Sequence, residues 1–371
     1  MAPGETTPDF DGLATLLWTD PTLARIREVA GERVVHLVGG AIRDGLLGRP
    51  VDDFDLVVEG DPAPLARALD PAATVNERFG TADLILDGVP VDIATARTET
   101  YARPGALPDV TPAGFGDDLS RRDFTINAMA MGLEEHAELI DPHGGLGDLA
   151  SGVIRVLHDR SFEDDPTRAF RAARYAARLG FDLEPRTADL LMGTTTSTVS
   201  RDRIETELRL MAAEPEAIEA LRLAGVWGLA RFEPGRLEVA RRAVELLEAG
   251  WDDLDRTEVI LESTFGSLGY VDDLRPEPPD PWEGYRRARG RDPLELLVAR
   301  AAGVEWLDEW QREWRGLELE ITGADLLAAG LPEGPGIGAG LDAAREARLT
   351  GRAHGADEEL AAALAAARER S

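Results

Sequence analysis

Apolar residues between positions 34 and 95 form short runs, and each run is followed by a turn or a helix signal. The runs read VVHLV, FDLVVEG, DLIL and VPVDIATA, with GGAIRDGLLG after the first of them. Short runs rich in β-branched residues predict strands, and a glycine turn opening a helix predicts a helix packed on those strands. We therefore expect a small mixed α/β unit near the start of the chain.

The pattern changes after Thr125, where the β signal nearly vanishes and helical periodicity continues to the end of the chain. Breaks between helices are expected near Gly144, Gly145, Gly180, Gly225, Gly235 and the proline-rich run RPEPPDP at 275–281. The segment GLPEGPGIGAGL at 330–341 is expected to be flexible, and the Ala/Glu/Arg-rich end predicts a terminal helix pair.

These patterns together predict an α+β protein. A small mixed-sheet head is expected at residues 1–130, followed by an elongated all-α part. The all-α part is divided into a neck at 131–230 and a body and tail at 231–371.

Composition narrows the classes of function. The chain has 371 residues and no cysteine, which excludes disulfides, zinc–thiolate sites and cysteine nucleophiles. Its first residues, MAPGETTPDFDGLATLLW, carry acids and prolines where a secretory signal has a basic start and an apolar core. No apolar stretch reaches the roughly 20 residues that a membrane span needs. We expect a cytoplasmic protein with no membrane partner.

The net charge of the chain at first argues against binding of nucleic acid. All 40 basic residues are arginine, and 70 acidic residues bring the formal net charge to -30. Such a protein repels nucleic acid on average, so composition alone favours a small-molecule enzyme or an acidic partner surface. Exposed charges are screened beyond about 8 Å at physiological ionic strength, so a local group of arginines could still hold phosphates.

A candidate phosphate site lies at the first glycine turn. Gly39 and Gly40 allow the backbone to approach a ligand closely, and the helix that follows offers unpaired N–H groups. Arg43 adds a charged donor one turn into that helix. The alternative interpretation is an ordinary tight turn between a strand and a helix.

Two aspartates on the next strand predict a metal site. Asp53 and Asp55 are two residues apart, so on a strand they point to one face while Phe54 points into the core. Two carboxylates held this close repel unless a cation lies between them, and Mg²⁺ prefers oxygen ligands of this kind together with substrate phosphates. Asp92, in VPVDIATA, could add a third catalytic carboxylate. The alternatives are a solvated strand end for the pair and an ordinary edge-strand acid for Asp92.

The run RRDFTINAMA at 121–130 contains candidate nucleotide-binding groups. Arg121 and Arg122 place donors where polyphosphate oxygens would lie, and Asp118 or Asn127 could bond a ribose hydroxyl. Arginine pairs also commonly face solvent without binding a ligand.

An Asp/Arg pair further along could read a base. On a helix, Asp165 and Arg168 share one face, which puts an acceptor beside a planar donor. Cytosine and adenine both present an amino donor next to a ring-nitrogen acceptor, whereas uracil and guanine present the reverse. The pair could therefore select C and A without a nucleic-acid template. The alternative is a surface ion pair.

Arginines continue along the same predicted helix. Arg168, Arg171, Arg174 and Arg178 are spaced by three or four residues and so form one stripe. Its inner members would reach a nucleotide and its outer members the phosphates of an acceptor end. Arg201, Arg203 and Arg209 would extend this track; the alternative is an exposed face paired with acids.

These motifs together resemble the class II tRNA nucleotidyltransferase and poly(A) polymerase family, a branch of the polymerase β-like superfamily. LVGGAIRDGLLGRPVDDFDLVV resembles the family signature, and RRDFTINAMA, DPHGGLGDLASGVIR, FEDDPTRAFRAARYAARLGF and RDRIETEL resemble its later motifs in order. Residues 230–315 match none of them. The resemblance implies a Mg²⁺-dependent enzyme that adds CMP and AMP to the 3′ end of tRNA from CTP and ATP, releasing pyrophosphate.

The resemblance also implies residue roles. Arg122 is expected to contact the nucleotide, and Asp165 and Arg168 are expected to select the base. Asp164 stands where the family usually has Glu, a change that could alter how this carboxylate braces Arg168.

Several activities fit the same motifs. Within the family these are CCA addition, CC-only addition, A-only addition and poly(A) synthesis. RFGTADLILDG at 78–88 looks more like the tRNA-specific members, and the segment 98–119 looks like the flexible loop needed for the final A, which argues against CC-only addition. Outside these activities, a catalytically dead nucleotide-binding regulator and an interaction scaffold remain alternatives. The sequence makes no prediction of oligomeric state.

Overall fold

The computed structural model describes residues 7–134 and 137–369, with side chains to residue 367. The chain divides into two compact units, Met1–Arg231 and Phe232–Ser371. Within the described residues, no helix combines the length and the apolar character that crossing a membrane requires.

All strands of the described residues lie in the first unit. They are β1 (Val35–Val38), β2 (Phe54–Val58), β3 (Thr74–Asn76), β4 (Thr81–Leu86), β5 (Val89–Thr95), β6 (Arg97–Thr100), β7 (Asp109–Pro112), β8 (Ala130–Gly132), β9 (Leu139–Ile140), β10 (Val153–Ile154) and β11 (Asp182–Leu183). Seven of them form one sheet in the order β3-β4-β5-β2-β1-β8-β9. Only β2 and β5 pair in parallel within it, so the sheet is mixed, as the sequence predicts.

The helices of the first unit pack on this sheet and continue beyond it. They are α1 (Phe10–Thr19), α2 (Pro21–Ala30), α3 (Gly40–Leu46), α4 (Ala63–Leu69), α5 (Phe115–Ser120), α6 (Gly145–Ala150), α7 (Ser161–Asp164), α8 (Thr167–Leu179), α9 (Pro185–Met192), α10 (Arg201–Ala213) and α11 (Ala217–Val226). Local sequence explains several boundaries. Asp20 accepts N–H groups of the first turn of α2, Pro21 needs no partner at its first position, and Gly180 ends α8 in the left-handed region.

The described residues of the second unit form helices joined by loops, without strands. Its helices are α12 (Arg236–Glu248), α13 (Arg256–Phe265), α14 (Gly269–Leu274), α15 (Pro281–Ala288), α16 (Pro293–Ala301), α17 (Leu307–Glu309), a π-helical turn (Trp310–Trp314), α18 (Gly323–Ala328), α19 (Pro335–Leu349) and α20 (Ala356–Glu369). Its core includes Trp251, Trp306, Trp310 and Trp314. The α+β fold with a mixed-sheet head and a helical remainder is therefore confirmed.

The structure corrects three details of the sequence-based prediction. Strands β8 and β9 continue the head sheet past Thr125 and past residue 130, because β8 pairs with the central strand β1. The segment expected as a loop at 98–119 contains the antiparallel pair β6–β7 and helix α5. The segment at 330–341, expected to be flexible, contains the start of α19, and α19 and α20 form the predicted terminal pair.

Candidate active site

One cleft in the first unit gathers most of the predicted site residues. Its volume is about 540 Å³. It is lined by Gly39, Gly40, Arg43, Asp44, Asp53, Asp55, Glu99, Tyr101, Arg121, Arg122, Asp123, Asn127, Asp165, Thr167, Arg168, Arg171, Arg174, Tyr175, Arg178, Arg203 and Glu207. Of the predicted nucleotide-binding and catalytic residues, only Asp92 and Asp118 lie outside this lining. Arginines outnumber acids here, eight to seven, although acids dominate the whole chain.

Gly39 forms the turn between β1 and α3. Its φ of +67° lies in the left-handed region, where a side chain is strained. A Cβ atom at this position would lie 3.1 Å from Nη1 of Arg122 and 3.7 Å from Oδ2 of Asp55. The bare backbone therefore lets the turn approach both the arginine and the carboxylate.

The aspartate pair lies at the start of β2. Asp53 directly precedes the strand and is exposed, Asp55 is its second residue, and Phe54 between them is fully buried. The predicted alternation of faces is therefore observed. Burial raises the pKa of Asp55, with Arg122 opposing the rise and the nearby negative charge of Asp53 adding to it. The two carboxylates are thus close enough to repel each other.

Asp92 lies on the strand next to Asp55. The β2–β5 register pairs Asp55 with Asp92, and the β4–β5 register pairs Asp83 with Asp92. Asp92 is exposed, yet partial desolvation by its surroundings, followed by the charges of Asp55 and Asp83, raises its pKa to about 6. Strand β5 is internal to the sheet, so Asp92 is not the edge-strand acid of the alternative interpretation. Its side chain does not line the cleft, and its catalytic role stays a prediction.

Asp118 lies behind the cleft rather than in it. Its side chain is fully buried, and its oxygens accept hydrogen bonds from Arg121 at 2.9 Å and Arg122 at 3.0 Å. It also accepts the backbone N–H of Arg97 at 3.3 Å. A carboxylate engaged in this way orients the two arginines, and its contact with a ribose hydroxyl stays a prediction.

A second buried carboxylate, Asp123, fixes two other residues of the site by hydrogen bonds. It accepts hydrogen bonds from Nε of Arg171 at 2.7 Å and from the Asn127 amide at 3.0 Å. The side-chain oxygen Oδ1 of Asn127 in turn accepts a hydrogen bond from Arg43 at 2.6 Å. Arg43 also forms an ion pair with Asp44 at 2.7 Å. Arg43 and Asn127 are therefore anchored by protein groups at the edge of the cleft.

The charge of Asp123 predicts a pH-dependent stability. Burial alone would raise the pKa of Asp123, but the charge of Arg171 and hydrogen bonds from Asn127 and Arg171 lower it to about 2. Because the pKa of Asp123 in the folded state lies below the ordinary value near 3.8, its ionisation contributes about 2 kcal/mol to the free energy of unfolding. This contribution is present above about pH 4 and is lost as the pH falls toward about 2.

We expect Asp123→Asn to lower the free energy of unfolding by about 3 kcal/mol at pH 6, because it leaves Arg171 unpaired. The difference from the wild type should shrink at pH 3, as measured by urea unfolding. Asp117→Asn, at an exposed position of α5, is the control. A difference that stays constant between pH 6 and pH 3 would contradict the assignment of the low pKa to Asp123.

Asp165 and Arg168 do not share a helix face, which corrects the prediction. Asp165 has extended backbone angles and ends α7, because the residue before Pro166 is disfavoured in the helical region. Its Oδ1 accepts the N–H of Thr167 at 3.1 Å and pairs with Arg203 at 2.8 Å. Both Asp165 and Arg168 still line the cleft.

Arg168 is held by groups that the sequence did not predict. Its Nη1 donates to the buried Ser161 hydroxyl at 2.7 Å, and its Nη2 donates to the Arg121 carbonyl at 2.7 Å. Asp164, expected to brace Arg168, pairs instead with Arg160 at 3.0 Å. Among the described residues, Asp164 makes no hydrogen bond or ion pair with Arg168.

The arginine stripe of α8 is confirmed. Arg168, Arg171, Arg174 and Arg178 all line the cleft, and Tyr175 lies among them. The Tyr175 ring centroid is 5.0 Å from the Arg43 guanidinium and 5.5 Å from those of Arg171 and Arg174. Of the three arginines predicted to extend the track, Arg203 reaches the cleft, whereas Arg201 is exposed and pairs with Glu205.

Sequence reasoning missed several residues of the lining. Asp123 stands directly after the arginine pair, and Tyr175 lies inside the arginine stripe, so their positions could have signalled them. Glu99 and Tyr101 gave no such signal, because β6 brings them to the cleft from the segment expected to be a loop. Glu207, on α10, has a buried carboxylate oxygen without a hydrogen-bond partner in the described residues.

Comparisons with known proteins agree with this geometry. The family described as the Poly A polymerase head domain matches residues 35–155. A CC-adding tRNA nucleotidyltransferase of Deinococcus radiodurans is 34% identical over 91% of this chain and 90% of that protein. An A-adding tRNA nucleotidyltransferase of Geobacter sulfurreducens is 34% identical over 93% of this chain and 47% of that protein. The chain spans half or less of the length of the A-adding relatives.

Solved structures give the same result. The chain is similar to a CCA-adding enzyme of Thermotoga maritima complexed with tRNA, with a TM-score of 0.75, 27% identity, and coverage of 95% of this chain and 98% of that one. It is also similar to a CCA-adding enzyme solved with ATP and with CTP, each with a TM-score of 0.77, 26% identity, and coverage of 96% and 98%. The chain therefore belongs to the class II tRNA nucleotidyltransferase and poly(A) polymerase family.

Proposed function

We propose that this chain adds CMP and AMP to the 3′ end of tRNA without a nucleic-acid template, using CTP and ATP and releasing pyrophosphate. One observation carries the proposal: a single cleft is lined by the Asp53/Asp55 pair, by Asp165 and by the arginines of α8, which include Arg168. The names of the similar enzymes, which include tRNA, ATP and CTP, support the same substrates. The predicted cytoplasmic location is consistent with this reaction.

The turn at Gly39 and the arginines are suited to a triphosphate. Arg122 is fixed by Asp118 behind it and lies beside the Gly39 backbone and Asp55. Its Nε is buried with no acceptor among the described residues. Arg171, anchored by Asp123, adds a second fixed positive charge. Anchored guanidinium groups bind phosphate with little loss of side-chain freedom.

Asp53 and Asp55 fit a divalent cation. They are carboxylates close enough to repel, and the pKa of Asp55 is raised by burial and then by Asp53, a cost that a cation would relieve. The described residues contain no group of three His, Cys, Asp or Glu side chains that could hold a metal. The two aspartates and substrate oxygens would therefore hold Mg²⁺, a pattern common for this ion. Bound Mg²⁺ would polarise the primer hydroxyl and neutralise the leaving pyrophosphate.

In the reaction, the 3′ hydroxyl of the primer gives up its proton to water, and its oxygen forms a bond to the α-phosphorus of the nucleotide. The bond between the α-phosphorus and the bridging oxygen breaks, and pyrophosphate leaves with that oxygen. The role of the cleft is to align these atoms and to hold the developing charge, which is the main catalytic requirement of phosphoryl-type transfers.

We assign base selection to Asp165 and Arg168, two side chains that other protein groups fix in place. Arg168 is fixed by the Ser161 hydroxyl and the Arg121 carbonyl, and Asp165 by Thr167 and Arg203. Asp165 would accept the exocyclic amino group of C or A, and Arg168 would donate to the neighbouring ring nitrogen. Uracil and guanine would present an acceptor to Asp165 and a donor to Arg168, so neither hydrogen bond would form. A site that selects its base by hydrogen bonds rejects such a mismatch strongly.

A-only addition is the second candidate, because the first curated relatives carry that name. Product length separates the candidates. With purified protein, Mg²⁺, CTP and ATP, a tRNA transcript lacking its last three nucleotides is expected to grow by three. Growth by two identifies CC-only addition and growth by many residues poly(A) synthesis. Growth by one, on a transcript lacking only the final A, together with no growth on the shorter transcript, identifies A-only addition.

A further inference from the structure

A second pocket of the first unit, of about 500 Å³, is lined by none of the residues of the cleft. Its walls are the loop from β2 to α4, the turn from β3 to β4, and the strands β6 and β7. Apolar groups from Val75, Phe79 and Val110 share these walls with the side chains of Arg67, Arg78 and Arg97. We call it the side pocket.

Two arginines of the side pocket are not neutralised by the protein. Arg67 and Arg78 are exposed and form no ion pair with a carboxylate within the described residues, although most arginines of this acidic chain do. Arg78 has its guanidinium carbon 5.2 Å from the centroid of the Phe79 ring. In a chain with 70 acids and 40 arginines, two unpaired guanidinium groups in one pocket indicate an anionic ligand.

The described lining of the side pocket carries three arginines and two acids, Asp61 and Glu77. Asp61 accepts the N–H of Ala63 at 2.9 Å and so serves the start of α4. Glu77 and the neighbouring Asn76 also line the pocket. The carboxylate offers hydrogen-bond acceptors to a polar ring, and the amide offers both donors and an acceptor. Phosphate donors, an aromatic face and an edge of hydrogen-bonding groups are the three features that a nucleotide needs from a binding site.

The side pocket lies next to the catalytic cleft along β6. Arg97 lines the side pocket, where it donates to the Phe79 carbonyl at 2.8 Å, and it also bonds Glu99 at 3.2 Å. Glu99 lines the cleft and accepts from Arg121 at 2.8 Å. Two residues of strand span roughly 7 Å. A chain of nucleotides is therefore long enough to occupy both cavities.

We propose that the side pocket binds one nucleotide of the RNA whose 3′ end is being extended. Its phosphate lies against Arg67 and Arg78, and its base lies against Phe79, with Asn76 and Glu77 at the base edge. The inference rests on the proposed function, because it takes the RNA primer as the ligand. It adds a contact to the RNA outside the cleft that binds the incoming nucleotide.

The test is equilibrium binding of a fluorescent tRNA transcript lacking its last three nucleotides, followed by fluorescence anisotropy without nucleotide. The double variant Arg67→Gln/Arg78→Gln should bind the transcript about tenfold more weakly, with the slope of log K against log salt less steep by about one to two. Phe79→Leu should weaken binding by up to about tenfold with the salt slope unchanged, because it removes stacking and no charge. Arg33→Gln, at an exposed arginine of the same unit outside the side pocket, should bind like the wild type.

Kinetics identify the source of the nucleotide. If the ligand is the RNA, the double variant raises the KM for the transcript and leaves the KM for CTP unchanged. A raised KM for CTP with unaltered RNA binding would mean that a free nucleotide occupies the pocket, and it would overturn the proposal. Unchanged affinity and salt slope in the double variant would also overturn it. Failure of the wild type to extend any RNA would count against the proposed function, while the binding measurement would still decide the side pocket.

Discussion

Replacing Asp53 by asparagine is expected to lower the rate of CMP incorporation by at least about 10³-fold, because the substitution removes half of the carboxylate pair that would hold Mg²⁺. Asparagine has nearly the same shape, and Asp53 is exposed at the start of β2. The fold should therefore be retained. The measurement is the single-turnover rate of incorporation into a tRNA transcript at saturating CTP and Mg²⁺, together with the unfolding midpoint of the same preparation.

The neighbouring aspartate provides a matched control. Asp52 is exposed, directly precedes Asp53, and does not line the cleft. Asp52→Asn makes the same change of charge one position away, so it should leave the rate within about twofold of the wild type. Asp55→Asn should match the loss seen in Asp53→Asn. A normal rate in Asp53→Asn, or an equal loss in Asp52→Asn, would remove the metal assignment.

Replacing Arg168 is expected to have the second largest effect, and it should act on the choice of base. Arg168→Lys keeps the positive charge but loses the planar group that bonds the Ser161 hydroxyl and the Arg121 carbonyl together. The base-facing donor is then no longer fixed. We expect the ratio of kcat/KM for CTP to that for UTP to fall by at least about 100-fold, or incorporation of CMP to collapse toward the rate of UMP.

Stability must be followed alongside selectivity in this variant. Loss of the guanidinium leaves one buried acceptor, the Ser161 hydroxyl, and one partly buried acceptor, the Arg121 carbonyl, without their donors, which costs about 1–3 kcal/mol of unfolding free energy. Arg160→Lys is the control, because Arg160 directly precedes α7, forms an ion pair with Asp164 and does not line the cleft. Unchanged selectivity in a folded Arg168→Lys protein would rule out base reading by Arg168.

Local sequence features were predicted well because their physical causes are local. A strand followed by two glycines and a helix specifies the turn at Gly39, where only a residue without a side chain tolerates the backbone and the approach of Arg122. The alternation of Asp53, Phe54 and Asp55 follows from the two-residue period of a strand. The arginine stripe follows from the helical period of α8. Each of these needs only neighbouring residues.

The remainder depends on contacts between distant residues, which local patterns do not contain. Asp118 shares a segment with the arginines it orients, yet only the fold reveals that it is buried behind them. The partners of Arg168 are Ser161 and the carbonyl of Arg121, and the latter is 47 positions away. Pro166 did signal a break before α8, and the prediction that Asp165 and Arg168 share one helix face overlooked it.

The acidic composition also has a physical explanation in the site. Asp44, Asp118 and Asp123 bind arginines of the cleft and fix their guanidinium groups, so acids here position cations rather than repel the substrate. The net charge of the whole chain therefore does not predict the balance of charged side chains in the cleft. The decisive feature for phosphate binding is where the arginines are anchored.

The central claim is that the side chains of one cleft choose the nucleotide without a template. It is tested most directly by offering the wild-type protein CTP, ATP, UTP and GTP one at a time, with Mg²⁺ and a tRNA transcript lacking its last three nucleotides. CMP is expected to be incorporated first, with UMP and GMP at least about 100-fold slower. Equal incorporation of CMP and UMP, or no incorporation of any nucleotide into transcripts lacking three nucleotides or only the final A, would contradict that claim.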